Sequence, residues 1–373
     1  NSIKANVINN NAGGLIQANA GNVDLQSNGA ATLTVVTGLG SNINAQGATN
    51  DIRFNPTSAA SVSVTGTGNL SAADQVILNT NGGDATITVN QIGGTLTASS
   101  KVGNLTATST TGSLTLDTIA TTGSALATAG NGALSVTSLT AGSTIDLTVT
   151  TGGNLTANSV VGGTAVTLSN NSAAVGQGAV TIGGTGLSST GGTVSITSGA
   201  NGSILANSAV TGSGNVTLLT GANGNIALNA DTKSTAGSMT MTSGTGAANN
   251  VTIATGVTAS GATTTSVNTP TLTLAGTASL KSGSGDISVQ SNGALSALTV
   301  NLGSGSTITS ANANVTFNNG TAGAITMIGG NGSISAGGAT PSVNLNGGGN
   351  AVNVDVNSIN CCTSGSGSTF SLS

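Results

Sequence analysis

The residues able to do chemistry in this sequence are few and scattered. All nine acidic residues are aspartates, and glutamate, histidine, tryptophan and tyrosine are absent. Two pairs are near enough in sequence to meet in space, Asp51 with Arg53 and Asp74 with Asp84. Acid–base catalysis on a sugar or peptide needs such groups to converge in a cleft, and saccharide clefts also use aromatic walls. This chain has one arginine and three phenylalanines, Phe54, Phe317 and Phe370. A Ser-His-Asp relay is impossible without histidine. The aspartates therefore read as surface-turn residues, and no catalytic residue is assigned.

Metal chemistry fares no better. Gly82-Gly83-Asp84 and Gly283-Ser284-Gly285-Asp286 are fragments of the calcium-binding nonapeptide, whose aspartate must recur in every copy. Zinc and haem find no ligands beyond two cysteines, so no metal and no cofactor are expected. Those cysteines are adjacent, Cys361-Cys362. In an oxidising compartment they form a strained vicinal disulfide, stay free, or bond a neighbouring subunit. The expected role is a disulfide or inter-subunit contact at one end of the molecule.

What must position these residues is a chain of unusual composition. It has 373 residues and 59 glycines; 4% of residues are charged, 1% aromatic and 36% apolar. Disordered chains lack β-branched apolar residues and carry many charges, whereas Val, Ile, Leu and Thr recur here throughout and mean hydropathy is +0.25. A narrow core of small aliphatic side chains is expected. The basic residues Lys4, Arg53, Lys101, Lys233 and Lys281 are far apart, which excludes nucleic-acid binding, and a net charge of −4 steers no partner. No run approaches the roughly 18 apolar residues of a membrane helix. A signal peptide is expected to have been removed or to lie outside this sequence. Low charge with abundant Ser, Thr and Asn suits an extracellular, cell-surface location.

One five-residue unit recurs: Gly, a small polar residue, an aliphatic residue, Thr/Ser/Ala, then a second aliphatic residue or Ala. Copies include those starting at Gly21, Gly68, Gly94, Gly103, Gly112, Gly132, Gly153, Gly192, Gly214, Gly224, Gly285 and Gly332. The period of two sends aliphatic side chains to one face and hydroxyls to the other. Glycine, often as Asn-Gly (Asn28, Asn81, Asn131, Asn201, Asn223, Asn292, Asn319, Asn331), is expected to supply positive φ at sharp corners. Units fall about 9 to 13 residues apart in many places, so that every second one falls about 18 to 25 apart, the length of a β-helix coil. A sandwich would space its strands similarly, but the copies are alike and no large aromatics exist to fill an inter-sheet space.

The expected fold is all-β, a single elongated β-solenoid (parallel β-helix) spanning 1–373. It should hold about 20 residues per coil, hence roughly 17 to 19 coils. Residues 94–240 are the cleanest; the repeat loosens at 50–60 and 256–270 and is less regular from about 337. Pro56, Pro270 and Pro341 should mark corners or loops, because an interior ladder needs the N–H that proline lacks.

The Gly-x-aliphatic-Thr/Ser-aliphatic units at Gly103, Gly112, Gly214 and Gly224 resemble the repeat shafts of filamentous-haemagglutinin-like exoproteins and autotransporter passengers. That resemblance implies a protein secreted through the outer membrane, an adhesin or surface fibre; beside self-association, glycans or a host or cell surface are the partners considered. The family's secretion domain carries an Asn-Pro-Asn-Gly motif, from which Asn55-Pro56-Thr57-Ser58 departs. Neither end of the sequence reads as a charged or helical cap. The expected function is therefore a non-enzymatic subunit of an extracellular filament, self-associating end to end into a homopolymer. The alternatives are an adhesin shaft segment of a longer exoprotein and an ice-binding solenoid. Most of the sequons at Asn69, Asn104, Asn154, Asn215 and Asn314 coincide with the repeat itself and read as its by-products. Thr-x-Thr recurs at Thr86, Thr95, Thr148, Thr271 and Thr307, but not at one fixed spacing, so no single flat threonine array is expected.

Overall fold

The computed structural model describes residues 1–55, 60–80, 82–98, 101–292, 297–319, 323–328, 331–361 and 369–372. The fold is an all-β parallel β-solenoid of about 14 turns, with roughly 24 residues per turn and no helix among the described residues. The turns are thus fewer and longer than the sequence suggested. The chain forms two compact units, Asn1–Gly178 and Ala179–Ser373.

In the first unit the opening coils have three short strands each. Ser2–Lys4, Val7–Asn10 and Leu15–Ala18 stack on Val23–Gln26, Leu33–Thr37 and Asn42–Ala45. The coil that follows is long, since Leu25 finds its partner only at Phe54. The strand Asn69–Leu78 then takes in two walls at once, its first half lying on Asn42–Ala45 and its second on Ile52–Phe54. From there the coils shorten, as Ala85 faces Leu105 and Leu105 faces Ala125. One inward column runs Val64, Ile87, Ala107, Ala127, Leu147, Leu168, and every member is fully buried. In each coil that has Ala on this wall, the opposite wall has large residues: Leu114 and Leu116, then Leu134 and Val136. Small faces large, which fills a thin interior to native density.

The second unit repeats the scheme with a wider bore. Its inward column is Ile196, Leu218, Met241, Val267, Val289, Phe317 and Leu345. Phe317 enters where the coils have lengthened again, at the end of the turn from Val289, as Phe54 does at the end of the turn from Leu25. Both rings are fully buried. The core is therefore not aliphatic throughout: perimeter sets cross-section, and only the longest coils have room for an aromatic ring.

The corners revise the role expected of glycine. Gly21, Gly94 and Gly153 do have positive φ, but Gly103, Gly112, Gly132, Gly192, Gly214, Gly224 and Gly285 do not. At Gly132 a Cβ would lie 2.5 Å from the Ser113 nitrogen and 2.8 Å from the Gly112 carbonyl carbon. Glycine recurs there because the backbone of the preceding coil passes too close for any side chain. Pro270 sits between the strands Thr265–Asn268 and Thr271–Leu274, and Pro341 just ahead of Ser342–Asn346. Both are corners, as expected; Pro56 lies outside the described residues. The segment 256–270, which looked loose, holds two regular strands, Thr258–Gly261 and Thr265–Asn268, in register on both sides. Parallel pairing also continues beyond 337, to Thr369–Leu372.

Candidate functional site

The chemistry-bearing residues end up at corners and on outward faces. Asp51 and Arg53 do meet: the Arg53 guanidinium donates to the Asp51 carboxylate at 2.8 Å. The Asp51 backbone N–H in turn donates to Asn22 Oδ1 at 2.8 Å, so this pair clasps one corner. Asp74 and Asp84 do not converge. The Asp74 carbonyl lies beside Gly94 and the Asp84 carboxylate against Asn104, and the stretch Gln75–Leu78, stacked on Thr95–Ala98, separates them along the coil. Among the described residues no cluster of three metal-binding side chains occurs.

Three of the aspartates, Asp84, Asp231 and Asp286, have a shared task, and asparagines at the equivalent place perform it too. At the residue just before an inward-facing strand, the side-chain oxygen accepts the backbone N–H of the next coil. Asp84 accepts from Asn104 at 2.7 Å and Asn104 from Ser124 at 2.8 Å. Asn215 accepts from Ser238, Asp231 from Thr258, Asp286 from Asn314 and Asn314 from Ser342, all at 2.8–2.9 Å. Each bond satisfies a corner N–H that no ladder reaches. The fragments that looked like calcium ligands, Asp84 and Asp286, are such staples. So are three of the sequon asparagines, Asn104, Asn215 and Asn314. A fourth, Asn69, belongs to an amide ladder, donating to Asn42 Oδ1 at 3.1 Å and accepting from Asn90 at 2.8 Å. Four of the six staples, Asp84, Asn104, Asn215 and Asp286, directly follow a glycine, where the sequence alone shows only a small polar spacer.

The outward faces carry hydroxyls in register. Ser63, Thr86, Thr106, Leu126, Asp146 and Thr167 form one column, and Thr65, Thr88, Thr108, Thr128, Thr148 and Ser169 the neighbouring one. Where the coils are shortest, Thr86-Ile87-Thr88 stacks squarely on Thr106-Ala107-Thr108. Two outward columns thus run in register here, with breaks at Leu126 and Asp146. Elsewhere hydroxyls are committed, as at Thr110 and Thr111, which donate to the Asn90 carbonyl.

Of the cysteines, Cys361 closes the strand Ser358–Cys361, opposite Ala336, and Cys362 lies outside the described residues. No helix among the described residues is long and apolar enough to cross a membrane. Comparison with protein families, with curated proteins and with solved structures finds no match.

Proposed function

We propose that this chain is an extracellular structural protein, a subunit that joins others end to end in a cell-surface fibre. The reading rests on one observation: successive coils present the same parallel ladder and aliphatic column to the coil that follows. A further coil of this kind docks by strand addition, whichever chain supplies it. The resemblance to filamentous-haemagglutinin-like shafts is supported at the level of the coil and the repeat. Electron microscopy and light scattering of the purified chain test the proposal: filaments that lengthen with concentration are expected. A monomer at high concentration, without filaments, sinks it. If the parent gene encodes a much longer chain, the same coils are the shaft of an adhesin.

The threonine columns favour ice binding as a second reading. Coils stacked roughly 4.8 Å apart, with same-face residues roughly 6.6 Å apart along each strand, present methyls and hydroxyls on a two-dimensional grid that bears no charge except at Asp146. Thermal hysteresis measured on the purified chain decides it, and its absence removes this reading while leaving the fibre untouched.

A further inference from the structure

We propose that the bond between Asn28 and Gly29 is a site of spontaneous deamidation, selected by the fold from among the chain's Asn-Gly pairs. In this reaction the Gly29 backbone nitrogen, having lost its proton to a base, attacks Asn28 Cγ. The N–Cγ bond forms, the Cγ–Nδ2 bond breaks and ammonia leaves. Water then opens the resulting succinimide at either carbonyl, giving aspartate or isoaspartate and one additional negative charge. The reaction needs a glycine nitrogen that is unhindered, solvent-accessible and free of a hydrogen bond.

The fold meets these conditions at Gly29 and withholds them at the other Asn-Gly pairs of which both residues are described. Asn28 and Gly29 are both exposed, a Cβ on Gly29 would meet nothing within 4 Å, and its N–H has no partner among the described residues. By contrast Gly132 donates its N–H to the Gly152 carbonyl at 3.1 Å, Gly202 to Gly199 at 3.0 Å and Gly224 to Gly221 at 3.1 Å. Gly332 and Gly347, which follow Asn331 and Asn346, are buried. Asn346 has in addition turned its Oδ1 to the Gly348 N–H at 2.9 Å.

The position gives the modification a consequence. The Asn28 N–H donates to Asn6 Oδ1 at 2.6 Å, across the first two coils. Isoaspartate lengthens the main chain by a methylene at this corner and adds charge to a surface that has almost none.

The test is peptide mapping by mass spectrometry of the folded chain, incubated at mildly alkaline pH and sampled over time, with a parallel sample in concentrated urea. Deamidation at Asn28 should outpace that at Asn131, Asn201 and Asn223 on the order of tenfold or more, because those glycines must first give up a hydrogen bond within stacked coils. In urea the difference should vanish, and an aspartate–isoaspartate mixture should mark the succinimide route. Equal rates in the folded chain, or faster loss at any of the three held sites, overturns the proposal. So does selectivity that persists in urea, which would place the cause in local sequence.

Discussion

At the scale of single residues, the solenoid tolerates change according to how far the neighbouring coil lies from the altered atom. The Gly132 backbone is pressed against Ser113 and Gly112, so Gly132→Ala should cost about 1–3 kcal/mol through overpacking. Thr128→Ala, on an outward column, should stay within about 0.5 kcal/mol. Urea denaturation of both variants checks the contrast, and equal effects would mean that the recurring glycine serves flexibility instead. The inward positions divide by coil length. Phe317 fills one of the long coils and is fully buried; Phe317→Ala should cost about 3–5 kcal/mol. Ala127 lines one of the short coils across from Leu134 and Val136, and Ala127→Phe should fail to fold where Val289→Phe, in the wider bore beside Phe317, is merely strained. Thermal melts followed by circular dichroism read the difference directly.

At the scale of the coil, a ladder of backbone bonds carries the strands and side-chain oxygens carry the corners. Asn104 accepts the Ser124 N–H and donates to Asp84, and removing it leaves a corner N–H without its acceptor. Asn104→Ala should cost about 1 kcal/mol. Asn104→Asp keeps the accepting oxygen, as Asp84 and Asp286 do at the same place, but sets a second carboxylate beside Asp84. It should recover most of the loss at raised ionic strength, where exposed like charges are screened. A melting series in salt separates the two contributions: a Ser124 acceptor that mattered gives rescue by Asp alone, whereas a purely steric role for Asn104 gives none. This is also why the sequons carried so little meaning as sequence. Gly-Asn-aliphatic-Thr is at once a corner, a staple, an inward residue and an outward hydroxyl, and the Asn-x-Thr pattern falls out of that order.

At the scale of the whole chain, the period of two was enough to reveal strands and their inward faces, and the likeness of the copies to choose a solenoid over a sandwich, because burial follows the same alternation: Leu105, Ala107 and Ser109 point in while Thr106 and Thr108 point out. The number of turns was not legible. Corner segments vary freely in length, so that one coil returns from Ala85 to Leu105 while another runs from Leu25 all the way to Phe54, and the cleanest stretch of sequence happens to hold the shortest coils. Nor could the staples be read, since they join residues a full coil apart. Once the coil is known, however, it predicts how the chain responds to losing one. Excising residues 105–124 joins Asn104 to Ala125, brings Ala125 opposite Ala85 and lets Asn104 stand where Ser124 stood. Every inward residue keeps its face, and stability in a solenoid is close to a sum over neighbouring repeats, so the shortened chain should fold with an unchanged β-type circular dichroism spectrum and a single melting transition. Excising 105–114 removes half a coil and sets Thr115 in the inward place of Leu105. One such slip turns a whole strand inside out, and this second deletion should unfold or aggregate. If both deletions fold equally well, the coil is not the unit of stability, and the stacking that the proposed fibre depends on loses its basis.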